Sequence, residues 1–192
     1  MTNHLESSRL FFALWPDQQT RLNLVRLNQS IEAKGFKPVQ PHNLHATLVF
    51  LGSVDANSEL LLKYSVRGIF AKPFVLTFDQ LSYWSKPKIL CLTCSHTPDE
   101  AELLVTAFNR AVVSCGLQMD TRPYLPHITL ARHARYLPDI TIEPIIWRAE
   151  AFVLAESCSE PGGVNYKVKQ EWPFGKATID ILPALKDGDS YS

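Results

Sequence analysis

Two stretches of the chain decide its fold: Asn43-Leu-His-Ala-Thr-Leu-Val-Phe-Leu-Gly52 and Arg122-Pro-Tyr-Leu-Pro-His-Ile-Thr-Leu-Ala-Arg132. Both contain a His-x-Thr-Leu tetrapeptide, and the two histidines, His45 and His127, lie 82 residues apart. Shuffling a chain of this composition would produce roughly 0.04 copies of the tetrapeptide. The apolar and β-branched residues around both copies predict strands. The sequence therefore contains one internal repeat, carried by two strands.

The repeated tetrapeptide places a histidine and a threonine on one face of each strand. Side chains two residues apart on a strand point to the same side, about 7 Å apart. His45 and Thr47 therefore share a face, as do His127 and Thr129, while the residues that alternate with them are apolar. Each strand is expected to present a polar ledge on one side and a core-facing surface on the other.

Two such ledges facing a cleft would bring two imidazoles and two hydroxyls to one small anion. An in-line displacement at phosphorus needs a base on the incoming water and an acid on the departing oxygen, and histidines serve both roles near neutral pH. Threonine hydroxyls can donate to the non-bridging oxygens. The pattern predicts hydrolysis of a phosphodiester, and a compact, strained five-membered cyclic phosphate fits it best.

Composition and charge limit the other possibilities. With 192 residues and 46% apolar content, the chain is expected to form one domain over residues 1–192, with a frayed tail at about 185–192. Nineteen basic and nineteen acidic residues leave no net charge, which favours a monomer that contacts nucleic acid only locally. No signal-peptide pattern or membrane-length apolar run is found, so we expect a cytoplasmic protein with reduced cysteines and no membrane partner.

Apolar periodicity and turn residues predict the order of the secondary-structure elements. Asp17 is suited to cap the first helix, and Gly35 is suited to follow its end. Thr97, followed by a proline and two acidic residues, is typical of a capping box. Strands are predicted at residues 9–15, 44–51, 74–81, 89–94, 126–132, 145–156 and 165–170, and helices at residues 17–34, 58–71 and 97–116.

The opening strand Arg9-Leu-Phe-Phe-Ala-Leu14, the two motif stretches and their spacing resemble the RNA 2′,3′-cyclic phosphodiesterases. These enzymes are a branch of the two-histidine phosphoesterases and were historically called 2′-5′ RNA ligases. The resemblance extends to about Phe174. It implies an α+β fold of two pseudo-symmetric lobes, each an antiparallel sheet with helices on its outer face, around a central active-site cleft. The predicted element order agrees with that fold.

The resemblance also implies an activity and assigns roles that the residues alone leave open. Water would open the cyclic phosphate of an RNA end or a small nucleotide and leave a 2′-phosphate. His45 would be the proton donor and His127 the proton acceptor, and Thr47 and Thr129 would complete the catalytic set. No metal or cofactor would be required. The same chemistry in reverse would join RNA ends through a 2′-5′ bond.

Three further residues are candidates for substrate binding. Arg132 matches the arginine that follows the family's second motif and would bind the phosphate. Strict alternation from His127 puts it on the wrong face, so a bulge or strand end after Thr129 is needed to redirect it. Phe11 lies on the mixed face of the first strand, where stacking on a base and ordinary core packing are equally consistent. Tyr166 follows a predicted glycine turn and is expected to line the cleft.

Two other function classes remain open from the residues. A metal-dependent phosphohydrolase could combine the two histidines with scattered carboxylates, although the sequence has no recognised metal-binding histidine pattern. A catalytically silent RNA-binding module could keep the fold, although both histidines and both threonines are present. Cys91 and Cys94 resemble half a zinc site. Without a second pair, they are better interpreted as buried small apolar residues.

Overall fold

In the part of the chain that the structure describes, the protein is built around one eight-stranded antiparallel sheet with three helices. The computed structural model describes residues 7–119, 122–161 and 163–175, and the predicted frayed tail lies outside them. A short 3-10 helix, Pro41–Asn43, precedes the second strand. The strands are β1 (Ser7–Leu14), β2 (Ala46–Asp55), β3 (Phe74–Trp84), β4 (Ile89–Cys94), β5 (His127–Arg132), β6 (Ile145–Ala149), β7 (Ala151–Glu160) and β8 (Gly163–Pro173), and the helices are α1 (Gln18–Glu32), α2 (Ala56–Val66) and α3 (Asp99–Ser114).

The sheet consists of two four-stranded halves that meet at one point. Its strand order is β6-β3-β4-β5-β2-β1-β7-β8. At the centre, β2 and β5 share a single registered pair, Ala46 with Ile128. Counted outward from this junction, one half is β2-β1-β7-β8 and the other is β5-β4-β3-β6. The two motif strands are therefore the innermost strands of two related halves, and the predicted α+β fold class is confirmed.

The helices are exchanged between the two halves. Helix α1 follows β1 in the chain but packs against β6, and α3 follows β4 but packs against β2. Phe108 of α3 stacks on Phe12 of β1, with ring centroids 4.5 Å apart, and meets the edge of Phe152 of β7 at 4.8 Å. Each half of the sheet is therefore packed against a helix that follows a strand of the other half.

Two predicted strand boundaries are wrong, and backbone geometry explains both. Gly52 was expected to end β2, but it takes a φ of 72° at a register shift against β1, and the strand continues to Asp55. A positive φ in glycine is the usual means of forming such a bulge. The predicted strand at residues 145–156 is two strands, because the chain leaves β6 in one half at Ala149 and enters β7 in the other at Ala151.

The helix starts were predicted with mixed success. Asp17 caps α1 by accepting from the Thr20 amide at 2.8 Å, as expected. At α3, Pro98 is the N-cap residue with an extended ψ of 139°, and no side chain caps the helix. The predicted capping box at Thr97 is therefore wrong, because the extended proline keeps Thr97 one residue too far from the first helical turn.

Cys91 and Cys94 are buried on β4, which confirms their interpretation as small core residues. Burial raises the pKa of both thiols to about 12.

No helix in the described residues is long and apolar enough to cross a membrane.

Candidate active site

The junction between the two half-sheets brings the His-x-Thr motifs together. The antiparallel pairing of Ala46 with Ile128 places His45 opposite Thr129 and Thr47 opposite His127. Alternate residues on paired strands point to the same face, so these four side chains converge. We call them the junction quartet. The two polar ledges predicted from the sequence therefore lie on adjoining strands.

Both imidazoles are held by the same kind of backbone contact. The Nδ1 atom of His45 lies 2.7 Å from the Asn43 carbonyl oxygen, and that of His127 lies 2.8 Å from the Leu125 carbonyl oxygen. Because a carbonyl oxygen can only accept, Nδ1 donates in both rings and carries the proton of the neutral form. Nε2 is then the unprotonated nitrogen of each neutral ring. In His45, Nε2 accepts from the Thr47 hydroxyl at 3.0 Å.

Aromatic side chains enclose His45 more than His127. Trp15 stacks on the His45 ring with centroids 5.5 Å apart, and Tyr166 meets it edge-on at 4.8 Å. Burial lowers the pKa of His45 to about 4; the hydrogen bond to Asn43 opposes this shift, and the charges of His127 and Arg132 add to it. The free protein therefore holds His45 in its neutral form at pH 7.

His127 lies against a different aromatic ring. Its centroid is 4.7 Å from that of Trp84, at the end of β3. Burial lowers the pKa of His127 and the charge of Arg122 adds to this effect, while the hydrogen bond to Leu125 opposes it. Trp84 and Arg122 were missed as site residues. Nothing in the local sequence of Trp84 indicates that its hairpin lies beside the second motif.

Phe11 cannot stack on a substrate base in this structure. Its side chain is only 2% exposed, and it packs in a small cluster with Ala13, Val153 and Ala155 on the cleft side of the sheet. The Phe11 ring lies 5.0 Å from that of His45. Of the two interpretations that the sequence left open, core packing is the one observed, and it places Phe11 beneath the histidine that it supports.

Asn43 connects the first motif to β8 and was also missed as a site residue. Its side-chain Nδ2 donates to the Val164 carbonyl at 2.8 Å, and its Oδ1 accepts from the Tyr166 amide at 2.9 Å. Its backbone carbonyl holds His45. From the sequence, Asn43 was identifiable only as a turn residue, since its partners on β8 lie more than 120 residues away.

The bulge required to redirect Arg132 is present. Leu130 is an extra residue on β5 in its pairing with β4, immediately after Thr129. Beyond this bulge Arg132 reaches the cleft, where its guanidinium donates to the Tyr166 hydroxyl at 3.1 Å. Tyr166 lines the cleft as expected, next to both Arg132 and His45.

Two cavities meet at the junction quartet. The larger, of about 690 Å³, is lined by His45, and the smaller, of about 420 Å³, is lined by Thr47 and His127. Thr129 and Arg132 line both cavities and so form a shared wall. No described acidic residue lines either cavity. The charged lining residues are all basic and comprise Lys37, Arg122, Arg132 and Arg135. The electrostatics of both cavities therefore favour an anion.

This combination of fold and paired motifs has known relatives. Residues 14–91 match the model of the LigT-like phosphoesterase family. The crystal structure of Escherichia coli LigT in apo form superimposes with a TM-score of 0.79 at 28% identity, covering 89% of this chain and 99% of that one. The chain thus resembles the LigT-like phosphoesterases in sequence over residues 14–91 and in fold over 89% of its length. The resemblance found in the sequence is thereby confirmed.

The chain is also similar to proteins with named activities. It is 28% identical over 170 residues to an RNA 2′,3′-cyclic phosphodiesterase of E. coli K12, covering 87% of this chain and 97% of that protein. It is 29% identical over 180 residues to the Thermus thermophilus enzyme of the same name, covering 85% and 89% of the two chains. E. coli LigT complexed with 3′-AMP also superimposes with a TM-score of 0.79.

Proposed function

We propose that this phosphoesterase hydrolyses the 2′,3′-cyclic phosphate at RNA ends to a 2′-phosphate, without a metal. The observation that carries the proposal is the junction quartet, in which two histidines of the same tautomer lie on either side of the wall formed by Thr129 and Arg132. The names of the relatives support the cyclic phosphate as the substrate.

The reaction follows from the two cavities. A cyclic phosphate bound at the shared wall is attacked by water from the smaller cavity, and Nε2 of His127 accepts the water proton as the new oxygen–phosphorus bond forms. The bond from phosphorus to O3′ breaks on the opposite side. His45 acts in its imidazolium form, which the bound phosphate anion favours: its Nε2 donates a proton to O3′, and the phosphate stays on O2′.

Arg132 and the two threonines stabilise the charge that grows on the non-bridging oxygens. A guanidinium can form two hydrogen bonds to a phosphate, and Thr47 and Thr129 add hydroxyl donors. These side chains supply the electrostatic role that a metal fills in other phosphodiesterases. When a 5′-hydroxyl of RNA replaces water as the nucleophile in the smaller cavity, the same displacement breaks the bond from phosphorus to O3′ and joins the two ends through a 2′-5′ bond.

The proposal is tested by incubating the protein with an oligonucleotide that ends in a 2′,3′-cyclic phosphate. We expect hydrolysis to a product whose phosphate is on the 2′ oxygen, with an unchanged rate in excess EDTA. A requirement for an added divalent cation would favour a metal-dependent phosphohydrolase. Binding without turnover would favour a silent RNA-binding module. Among the described residues, no three His, Cys, Asp or Glu side chains are grouped as metal ligands.

The pH dependence should differ between kcat/KM and kcat. For kcat/KM, which reports the free enzyme, activity falls at low pH as His127 is protonated and at high pH as His45 loses its proton. Since both pKa values are lowered, that of His45 to about 4, we expect a bell with its maximum below pH 6.5. A bound phosphate anion favours protonated His45, so the kcat profile should move to higher pH. Coincident profiles centred above pH 7 would contradict this assignment.

A further inference from the structure

The larger cavity continues beyond the reacting groups into a basic arm, which we define by Lys37, His133 and Arg135. The arm runs between residues 35–40 and residues 132–136. All three side chains are exposed. Neither Lys37 nor Arg135 forms an ion pair with any carboxylate among the described residues. The arm therefore presents positive charge that the described part of the protein does not neutralise.

The two walls of the basic arm are fixed to each other. Pro38 forms an isolated antiparallel bridge with Ala131, and the Val39 amide donates to the Leu130 carbonyl at 2.7 Å. The Val39 carbonyl accepts from the side-chain amide of Asn28, a buried residue of α1, at 3.0 Å. The arm is thus formed before any ligand binds.

The outer end of the basic arm is aromatic. Phe36 and Tyr136 lie on opposite walls with ring centroids 5.0 Å apart, and the Tyr136 hydroxyl donates to the Lys34 carbonyl at 3.3 Å. Tyr136 is 53% exposed, so part of its ring is available to a ligand. Basic groups that track a backbone, together with an exposed aromatic ring, are the usual elements of single-stranded nucleic-acid binding.

The direction of the substrate follows from the roles of the histidines and rests on the proposed function. In an in-line displacement the ribose lies on the side of the leaving oxygen, away from the attacking water. His45, the donor to that oxygen, lines the larger cavity, whereas His127 lines the smaller one. The nucleoside and the chain attached to its 5′ oxygen must therefore leave the site through the larger cavity.

We propose that the basic arm binds the phosphodiester backbone of the nucleotides on the 5′ side of the cyclic phosphate. The enzyme then selects oligonucleotide ends over single nucleotides that carry the same reactive group. Lys37 and Arg135 contribute to binding of the upstream chain and do not act on the cyclic phosphate. A nucleoside 2′,3′-cyclic phosphate, which has no upstream phosphate, is accordingly the internal control.

The test is a double charge reversal, Lys37→Glu with Arg135→Glu, assayed on a tetranucleotide and on a nucleoside, each ending in a 2′,3′-cyclic phosphate. We expect kcat/KM for the tetranucleotide to fall by about 10- to 100-fold through KM, while the nucleoside value changes less than about twofold. A plot of log kcat/KM against log salt concentration should also become less steep. Its slope should decrease by about 0.7 for each phosphate of the single strand that the variant no longer neutralises.

The matched control is Arg26→Glu with Lys72→Glu, which makes the same change in net charge at exposed residues that line neither cavity. Its tetranucleotide activity should stay close to that of the wild type. An equal loss in both double variants, or equal losses on both substrates, would overturn the proposal. If no variant or wild-type protein turned over either substrate, the proposed function would fail. The basic arm would still be tested by comparing the Kd of a 2′-phosphorylated tetranucleotide between the two double variants.

Discussion

Replacing either His45 or His127 by Ala is expected to lower turnover of a cyclic phosphate by about 10² to 10⁴, the usual cost of losing a general acid or base. In the His45 variant, His127 keeps its hydrogen bond to the Leu125 carbonyl, and in the His127 variant, His45 keeps its hydrogen bond to the Asn43 carbonyl. The Nε2 atom of the remaining histidine therefore stays in place. Because the proposed acid and base act in one step, the double variant should be only slightly slower than the slower single variant. Turnover measured with enzyme in excess checks all three proteins.

The control for these variants is His96→Ala, which removes an exposed histidine that lines neither cavity. Its turnover should match that of the wild type. His45 packs against three aromatic rings, so thermal midpoints are needed to separate lost chemistry from lost packing, and His45→Gln serves as a better-filled variant. A folded His45 or His127 variant with wild-type turnover would exclude the two-histidine mechanism.

The second large effect is expected at the threonines. Thr47→Val and Thr129→Val keep the shape and the strand preference of the side chain but remove the hydroxyl donor. If these hydroxyls donate to the non-bridging oxygens, each variant should lose about 10- to 1,000-fold in rate, the upper end being typical of a lost oxyanion donor. Turnover and thermal midpoint are measured on both variants in parallel.

The two threonines should also differ in a way that only the structure indicates. Thr47 donates to Nε2 of His45 in the free protein, so its replacement should also alter the pH profile, whereas Thr129→Val should lower the rate without moving it. Thr77→Val is the matched control, since Thr77 is exposed on β3 and lines neither cavity. Unchanged turnover in both motif variants would remove the threonines from the mechanism.

The parts of the site that follow strand periodicity could be predicted from the sequence, and those that depend on distant pairing could not. The shared face of His45 and Thr47 follows from the alternation of side chains along one strand. The same alternation showed that a bulge was needed before Arg132. The contact of Trp84 with His127 depends on the register of β5 against β4 and of β4 against β3. Asn43 shows the same limit, since its side chain binds β8.

Phe11 illustrates a further limit of periodicity. Alternation correctly separated it from Leu10 and Phe12, which face the helices. It could not show that β7 and β8 would extend the sheet beside β1 and bring Tyr166 over the ring. A residue on the cleft-facing side of a strand can thus be fully buried when an aromatic side chain from another strand of the sheet packs against it.

The exchange of α1 and α3 between the half-sheets explains how so narrow a strand junction can hold His45 and His127 in fixed positions. A junction of one registered residue pair would by itself be weak, and β2 and β5 could separate and pair again. The two helices on the other side of the sheet hold this junction closed. Separating the half-sheets would remove from each half the helix that packs against it, and would expose apolar surface on both halves. On the cleft side, the strands can diverge beyond their one registered pair, which leaves open space between the two imidazoles. The packing on the helix side of the sheet then sets the spacing of the two rings.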